Sequence, residues 1–219
     1  MPDEIIIVDL SKIPVDVLKK AKLVFKQTKW LSAVKVENDD GKIAYELDGT
    51  INGSKDEVTV TITDVGKMVE YDVYLSDPTK IPPKVLAAVK AKWPIIELAE
   101  SHLHCLGEDI KKQENGERLY ELFGKRGKFN VQAQVSIDGE ILEFVNEWEL
   151  DKAPKIVSDA LDKAKRDVFK ADTVYVINKD KTTIGFKFEG KGPLGLRKVF
   201  FVTPDGKRVE RVEEIAPKK

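Results

Sequence analysis

The chain has 219 residues, 42% hydrophobic and 34% charged, with 37 Lys and Arg against 38 Asp and Glu for a formal net charge of -1. That composition describes a globular protein with a core and excludes a disordered one. Balanced charge supplies no field to draw in nucleic acid or an anionic membrane surface. Charged residues interrupt every apolar run well short of the ~20 residues a membrane-spanning helix needs.

The start, MPDEIIIVDL, has an apolar run of only Ile5 to Val8, flanked by acids and lacking a basic segment, so it does not read as a signal peptide. The expected location is periplasmic or secreted if a leader has been removed, with the cytoplasm left open. A single cysteine, Cys105, excludes an intramolecular disulfide.

The dominant pattern is a repeat. Ser11-Lys-Ile-Pro14, Thr79-Lys-Ile-Pro82 and Asp151-Lys-Ala-Pro154 each set a capping-type residue three positions before a proline, and these prolines are 68 and 72 positions apart. Apolar residues then recur at helical spacing: Val17 and Ala21, Val85 and Val89, Val157 and Leu161. Proline suits a first helical turn, where its missing N–H costs nothing. The spacing predicts helices over 14–29, 83–92 and 154–169.

A second anchor is aromatic, polar, apolar, any residue, glycine: Tyr45 to Gly49, Tyr120 to Gly124 and Phe186 to Gly190. It predicts a half-buried strand ending in a turn. The third is a hairpin glycine, Gly66, Gly139 or Gly206, each between alternating runs. Three anchors in the same order predict an α+β fold of three tandem units, each one N-terminal helix followed by about four antiparallel strands. The expected boundaries are 1–77, with Ile5 to Leu10 as a leading strand, then 78–150 and 151–219.

The stretches YELDG and VTVTITDVGKMVEYDV, with ERLYELFG and VSIDGEILEF, then IGFKFEG and VTPDGKRVERV, resemble the PepSY-like unit, whose helix-plus-sheet shape is similar to that of β-lactamase-inhibitor-like proteins. The resemblance covers Ser11 to Ile215. It implies a non-enzymatic module, usually outside the cytoplasm, that binds or inhibits other proteins, peptidases included. No catalytic motif travels with it.

SHLHC, Ser101 to Cys105, holds both histidines and the cysteine. Counting back from Tyr120 puts the middle unit's first strand at 109–112, so SHLHC falls in an insertion over 95–109. In a helix begun at Pro94, His102 and His104 point roughly 200° apart and cannot share an ion. On a strand they share a face, with Cys105 opposite. That leaves two convergent ligands where Zn²⁺ wants three or four, so Glu108 or a partner chain would have to contribute.

The run Gly190 to Gly195 spells G-x-G-x-x-G, but β-formers follow it and Pro193 removes a donor, so a hairpin loop is expected instead of a phosphate cradle. Trp30 and Trp93 read as core; Trp148, between Glu147 and Glu149, is divided between core and surface. No residue is assigned a catalytic, cofactor or metal role. The expected function is a non-catalytic binding module acting on a protein or peptide through sheet faces and loops. The alternative is metal or small-molecule binding at 95–109.

Overall fold

A computed structural model describes residues 4–37, 41–106, 118–164, 169–191 and 197–215. Among the described residues are thirteen strands and three ten-residue helices. In chain order these are β1 (Glu4–Ile7), α1 (Val15–Val24), β2 (Thr28–Glu37), β3 (Ile43–Ile51), β4 (Glu57–Thr63), β5 (Met68–Tyr74) and α2 (Pro83–Lys92). Next come β6 (Glu97–Leu106), β7 (Arg118–Arg126), β8 (Phe129–Ser136), β9 (Ile141–Trp148) and α3 (Lys155–Ala164). The chain closes with β10 (Lys170–Lys179), β11 (Thr182–Lys191), β12 (Arg197–Val202) and β13 (Val209–Ile215). Among the described residues no helix is long and apolar enough to cross a membrane.

The expected α+β fold of three tandem helix-plus-four-strand units is corrected. The strands are hydrogen-bonded in sequence order, β1 to β13, as one antiparallel sheet. The strands that would have been unit edges are paired: β5 with β6 from Tyr74↔His102 to Glu70↔Leu106, and β9 with β10 from Trp148↔Val174 to Glu143↔Lys179. Pairing satisfies the row of N–H and C=O groups that a free edge would expose, which a repeat pattern cannot reveal.

By contact density the chain divides into two compact units. Met1–Lys92, Leu98–Leu122 and Val135–Glu140 form the first; Trp93–Glu97, Phe123–Gln134 and Ile141–Lys219 form the second. In the first, Val17 and Ala21 of α1 pack with Ala33, Leu47, Val58, Val60, Ile62, Met68, Tyr71, Val73 and Cys105. Strand alternation supplies these side chains: Val58, Val60 and Ile62 are buried while Thr59 and Thr61 point the other way. In the second, Val157 and Leu161 of α3 pack with Phe169, Val174, Val176, Phe186, Phe188 and Val202.

Two helix spans differ from expectation. α1 stops at Val24, because Thr28 to Trp30 pair with Gly49 to Ile51 as the start of β2. α3 is assigned to Ala164, and 165–168 lie outside the described residues. Ser11, Thr79 and Asp151 do not cap the helices; they sit in short 3-10 turns before them. The side chains of Asp9 and Asp77, two residues ahead of Ser11 and Thr79, accept the N–H of those residues.

The aromatic-to-glycine anchor also has a different meaning. Gly49, Gly124 and Gly190 lie inside β3, β7 and β11 and do not end them. A Cβ on Gly49 would stand 2.8 Å from the Lys29 carbonyl oxygen, and one on Gly124 2.6 Å from that of Glu97. At Gly49 the preceding strand is bulged, with a register shift between Trp30 and Ser32. The anchor glycine is where that strand comes too close for any side chain.

A buried ionic anchor fixes the turn ahead of α2. Asp56, 4% exposed, accepts from Ser76 N and Oγ (2.9 and 2.7 Å) and from Lys80 Nζ (2.5 Å). Burial pushes its carboxyl up, but the Lys80 ammonium and the Ser76 and Ser54 bonds outweigh that and hold it at about 2, below the ordinary 3.8. The charged form is favoured in the folded state, so its contribution is present above about pH 4 and lost as pH falls toward 2. Asp56→Asn should remove about 2 kcal/mol of stability at pH 7 and flatten the pH dependence between roughly pH 4 and 2, measured by urea denaturation across that range.

Candidate functional site

SHLHC is not in an insertion. Glu97–Leu106 form β6, and 107–109, with Glu108 and the expected strand at 109–112, lie outside the described residues. β6 pairs antiparallel with β5, setting Tyr71 opposite Cys105, Asp72 opposite His104 and Tyr74 opposite His102. The period of two then sorts the side chains. Leu103 and Cys105 join Tyr71 and Val73 in the core, and the fully buried thiol contributes to holding the Tyr71 hydroxyl above its usual range, after burial itself. His102 and His104 share the opposite face with Asp72.

That face carries a compact cluster. Asp72 Oδ1 lies 2.8 Å from His102 Nδ1, and its Oδ2 lies 3.0 Å from His104 Nε2. His102 Nε2 is 2.9 Å from Glu100 Oε1, and His104 Nε2 is 3.1 Å from Glu121 Oε2 on β7. The two imidazoles stack at 6.0 Å with 17° between planes. Asp72 Oδ2 is buried yet makes no directed hydrogen bond, its approach to His104 being electrostatic only. Burial lowers the proton affinity of His102, but Asp72 and then Glu100 outweigh it, so its pKa stands above the ordinary 6.5.

The same face is acidic beyond the cluster. The register aligns Asp48, Thr59 and Asp72 in one row and Glu46, Thr61 and Glu70 in the next. Burial, then Asp48 and Glu70, raise the pKa of Glu46. Asp72 and Glu121 escaped the sequence reading because they reach the histidines from β5 and β7, and cross-strand register is not written in any strand alone, whereas Glu100, two residues before His102 on β6, shares its face by the period of two.

A second feature lies in the other compact unit. A concavity of about 470 Å³ is lined by Arg126, Phe129, Glu147, Trp148, Glu149 and Lys152. Trp148, 36% exposed, stands edge-on to Phe186 at 6.4 Å. Glu147 accepts from Asn130 N and Nδ2, Glu149 accepts from Lys128 Nζ at 2.7 Å, and that ammonium caps the Phe129 ring at 4.9 Å. Among the described residues Arg126 makes no ion pair.

Trp93 is 2% exposed, while Trp30 is half-buried against the first core. In G-x-G-x-x-G, 192–196 lie outside the described residues, and strand β12 follows, not a helix.

No protein-family model matches the chain, so the PepSY-like resemblance has no family match behind it, and no curated protein matches either. Several solved structures are similar to it. A DUF2874 family protein from Bacteroides uniformis is 18% identical with a TM-score of 0.45, over 60% of this chain and 89% of that one. A BLIP-like protein from Bacteroides fragilis is 15% identical with a TM-score of 0.42, over 59% and 83%. A protein from Bacteroides eggerthii described as "putative periplasmic" is 17% identical with a TM-score of 0.43, over 60% and 88%.

Proposed function

We propose that the protein is a non-catalytic binding module that takes up a peptide segment of a protein partner in the concavity around Trp148. The observation that carries this reading is the concavity itself: a partly exposed indole and the Phe129 ring beside an Arg126 guanidinium that makes no ion pair among the described residues. Tryptophan and arginine are the side chains that most often anchor interfaces, because a rigid apolar body is buried while the cation takes a directed bond. Glu147 and Glu149 are already engaged by Asn130 and Lys128, which leaves the cation free for a partner's carboxylate. The segment that fits bears an apolar or aromatic side chain next to an acidic residue.

A displayed random-peptide library panned on the full chain tests this. Enriched peptides should share an aromatic or aliphatic residue beside Asp or Glu. Trp148→Ala should weaken a synthetic consensus peptide by about 2 kcal/mol, roughly thirtyfold, by fluorescence polarisation. Enrichment of no such motif, or equal binding by Trp148→Ala, would overturn the reading.

A further inference from the structure

We infer that Asp72, His102 and His104, with Glu121 as fourth ligand, form a binding site for one divalent transition-metal ion, with Zn²⁺ as the fitting case. This is independent of the peptide reading. The Asp72, His102 and His104 ligand atoms all lie within 4.8 Å of one another. A tetrahedral ion with bonds near 2.0–2.1 Å needs ligand atoms roughly 3.3 Å apart, by the geometry of that shell. His104 Nε2 already stands 3.0 Å from Asp72 Oδ2 and 3.1 Å from Glu121 Oε2, so small side-chain rotations complete the shell. Two imidazoles and two carboxylates are a donor set suited to Zn²⁺, which takes nitrogen and oxygen together.

Three further observations point to a cation. Asp72 Oδ2, the atom facing His104, is buried without a directed hydrogen bond, a cost that an ion between the two groups removes. Glu100 holds Nε2 of His102 and leaves Nδ1 facing Asp72, the arrangement in which an outer carboxylate orients a metal-bound imidazole. Among the described residues the ion pairs of Asp72 and Glu100 are with His102 and His104. With neutral imidazoles and ionised carboxylates the cluster carries three negative charges, from Asp72, Glu100 and Glu121.

Isothermal titration of the full chain with ZnCl₂ tests the site. Wild type should bind one Zn²⁺ with a Kd of about 1 μM. His102→Ala and His104→Ala should each weaken binding at least about a hundredfold, and Glu100→Ala, which loosens only the outer contact, roughly ten- to a hundredfold. Asp48→Asn, on the same face but outside the set, should bind as wild type. Because a histidine variant can lose its fold, Co²⁺ added to wild type supplies a second readout: intense visible bands of a tetrahedral ion are expected. Absence of Zn²⁺ binding at about 1 mM, equal binding by both histidine variants, loss in Asp48→Asn, or an octahedral Co²⁺ spectrum would each overturn the site and leave the cluster as an ion-pair network joining β5, β6 and β7.

Discussion

Trp93→Ala should cost the protein about 4 kcal/mol, the largest single loss expected from any side chain named above. The indole lies just after α2 at 2% exposure, edge-on to Phe144 at 6.1 Å, with Nε1–H donating to Asn146 Oδ1 at 2.9 Å. Truncation removes the apolar burial, leaves a cavity and strands the Asn146 carbonyl. Trp93→Phe keeps most of the ring and deletes only the donor, so it should cost about 1 kcal/mol, the loss of one hydrogen bond to a half-buried acceptor. Urea denaturation followed by far-ultraviolet circular dichroism separates the two. A loss under about 1 kcal/mol for Trp93→Ala would mean that the ring is not part of the packed core.

Gly190→Ala should be nearly as damaging, at about 3 kcal/mol, although it adds only a methyl group. The new Cβ would stand 2.7 Å from Ala171 Cα and still closer to the Lys170 carbonyl oxygen. Both are backbone atoms of β10, which is bulged between Ala171 and Thr173 where it passes Gly190. A backbone cannot rotate out of the way as a side chain can, so the strand pair has to separate. Gly53→Ala is the matching control. Its φ is +77° but nothing lies within 4 Å of the new Cβ, so it should cost only the left-handed penalty of about 1 kcal/mol. Thermal denaturation of the two variants should therefore differ clearly, and equal effects would assign the Gly190 cost to conformation instead of contact.

These glycines show how far a linear pattern reaches. The aromatic-x-apolar-x-glycine anchor is legible because selection for a half-buried strand writes a period of two into the sequence. Its glycine reads as a turn because turns are where glycine is commonest. That it instead admits a neighbouring strand depends, at Gly49 and Gly190, on a bulge in a different strand, which no residue of the anchor encodes. The hairpin glycines are more transparent. Gly66, Gly139 and Gly206 all have positive φ, a local requirement of the tight turn itself. What lay beyond reach is that Gly206 also packs under α3, where a Cβ would meet the Ile156 carbonyl oxygen at 2.8 Å.

The histidines divide in the same way. Alternation by itself determined that, on a strand, His102 and His104 share a face and Cys105 takes the other, because successive residues of an extended chain point to opposite sides. The prolines and the helical spacing after them likewise determined where the three helices begin and the apolar stripes that bury Val17, Val85 and Val157. Only the tertiary structure decided that 97–106 is a strand at all, and that Asp72 and Glu121 arrive beside the imidazoles. Only the tertiary structure decided, too, that the thirteen strands join in one hydrogen-bonded sheet. Those outcomes rest on pairing between segments far apart in the chain, whose backbone groups are identical in every strand and whose register is set by which apolar faces must be buried together.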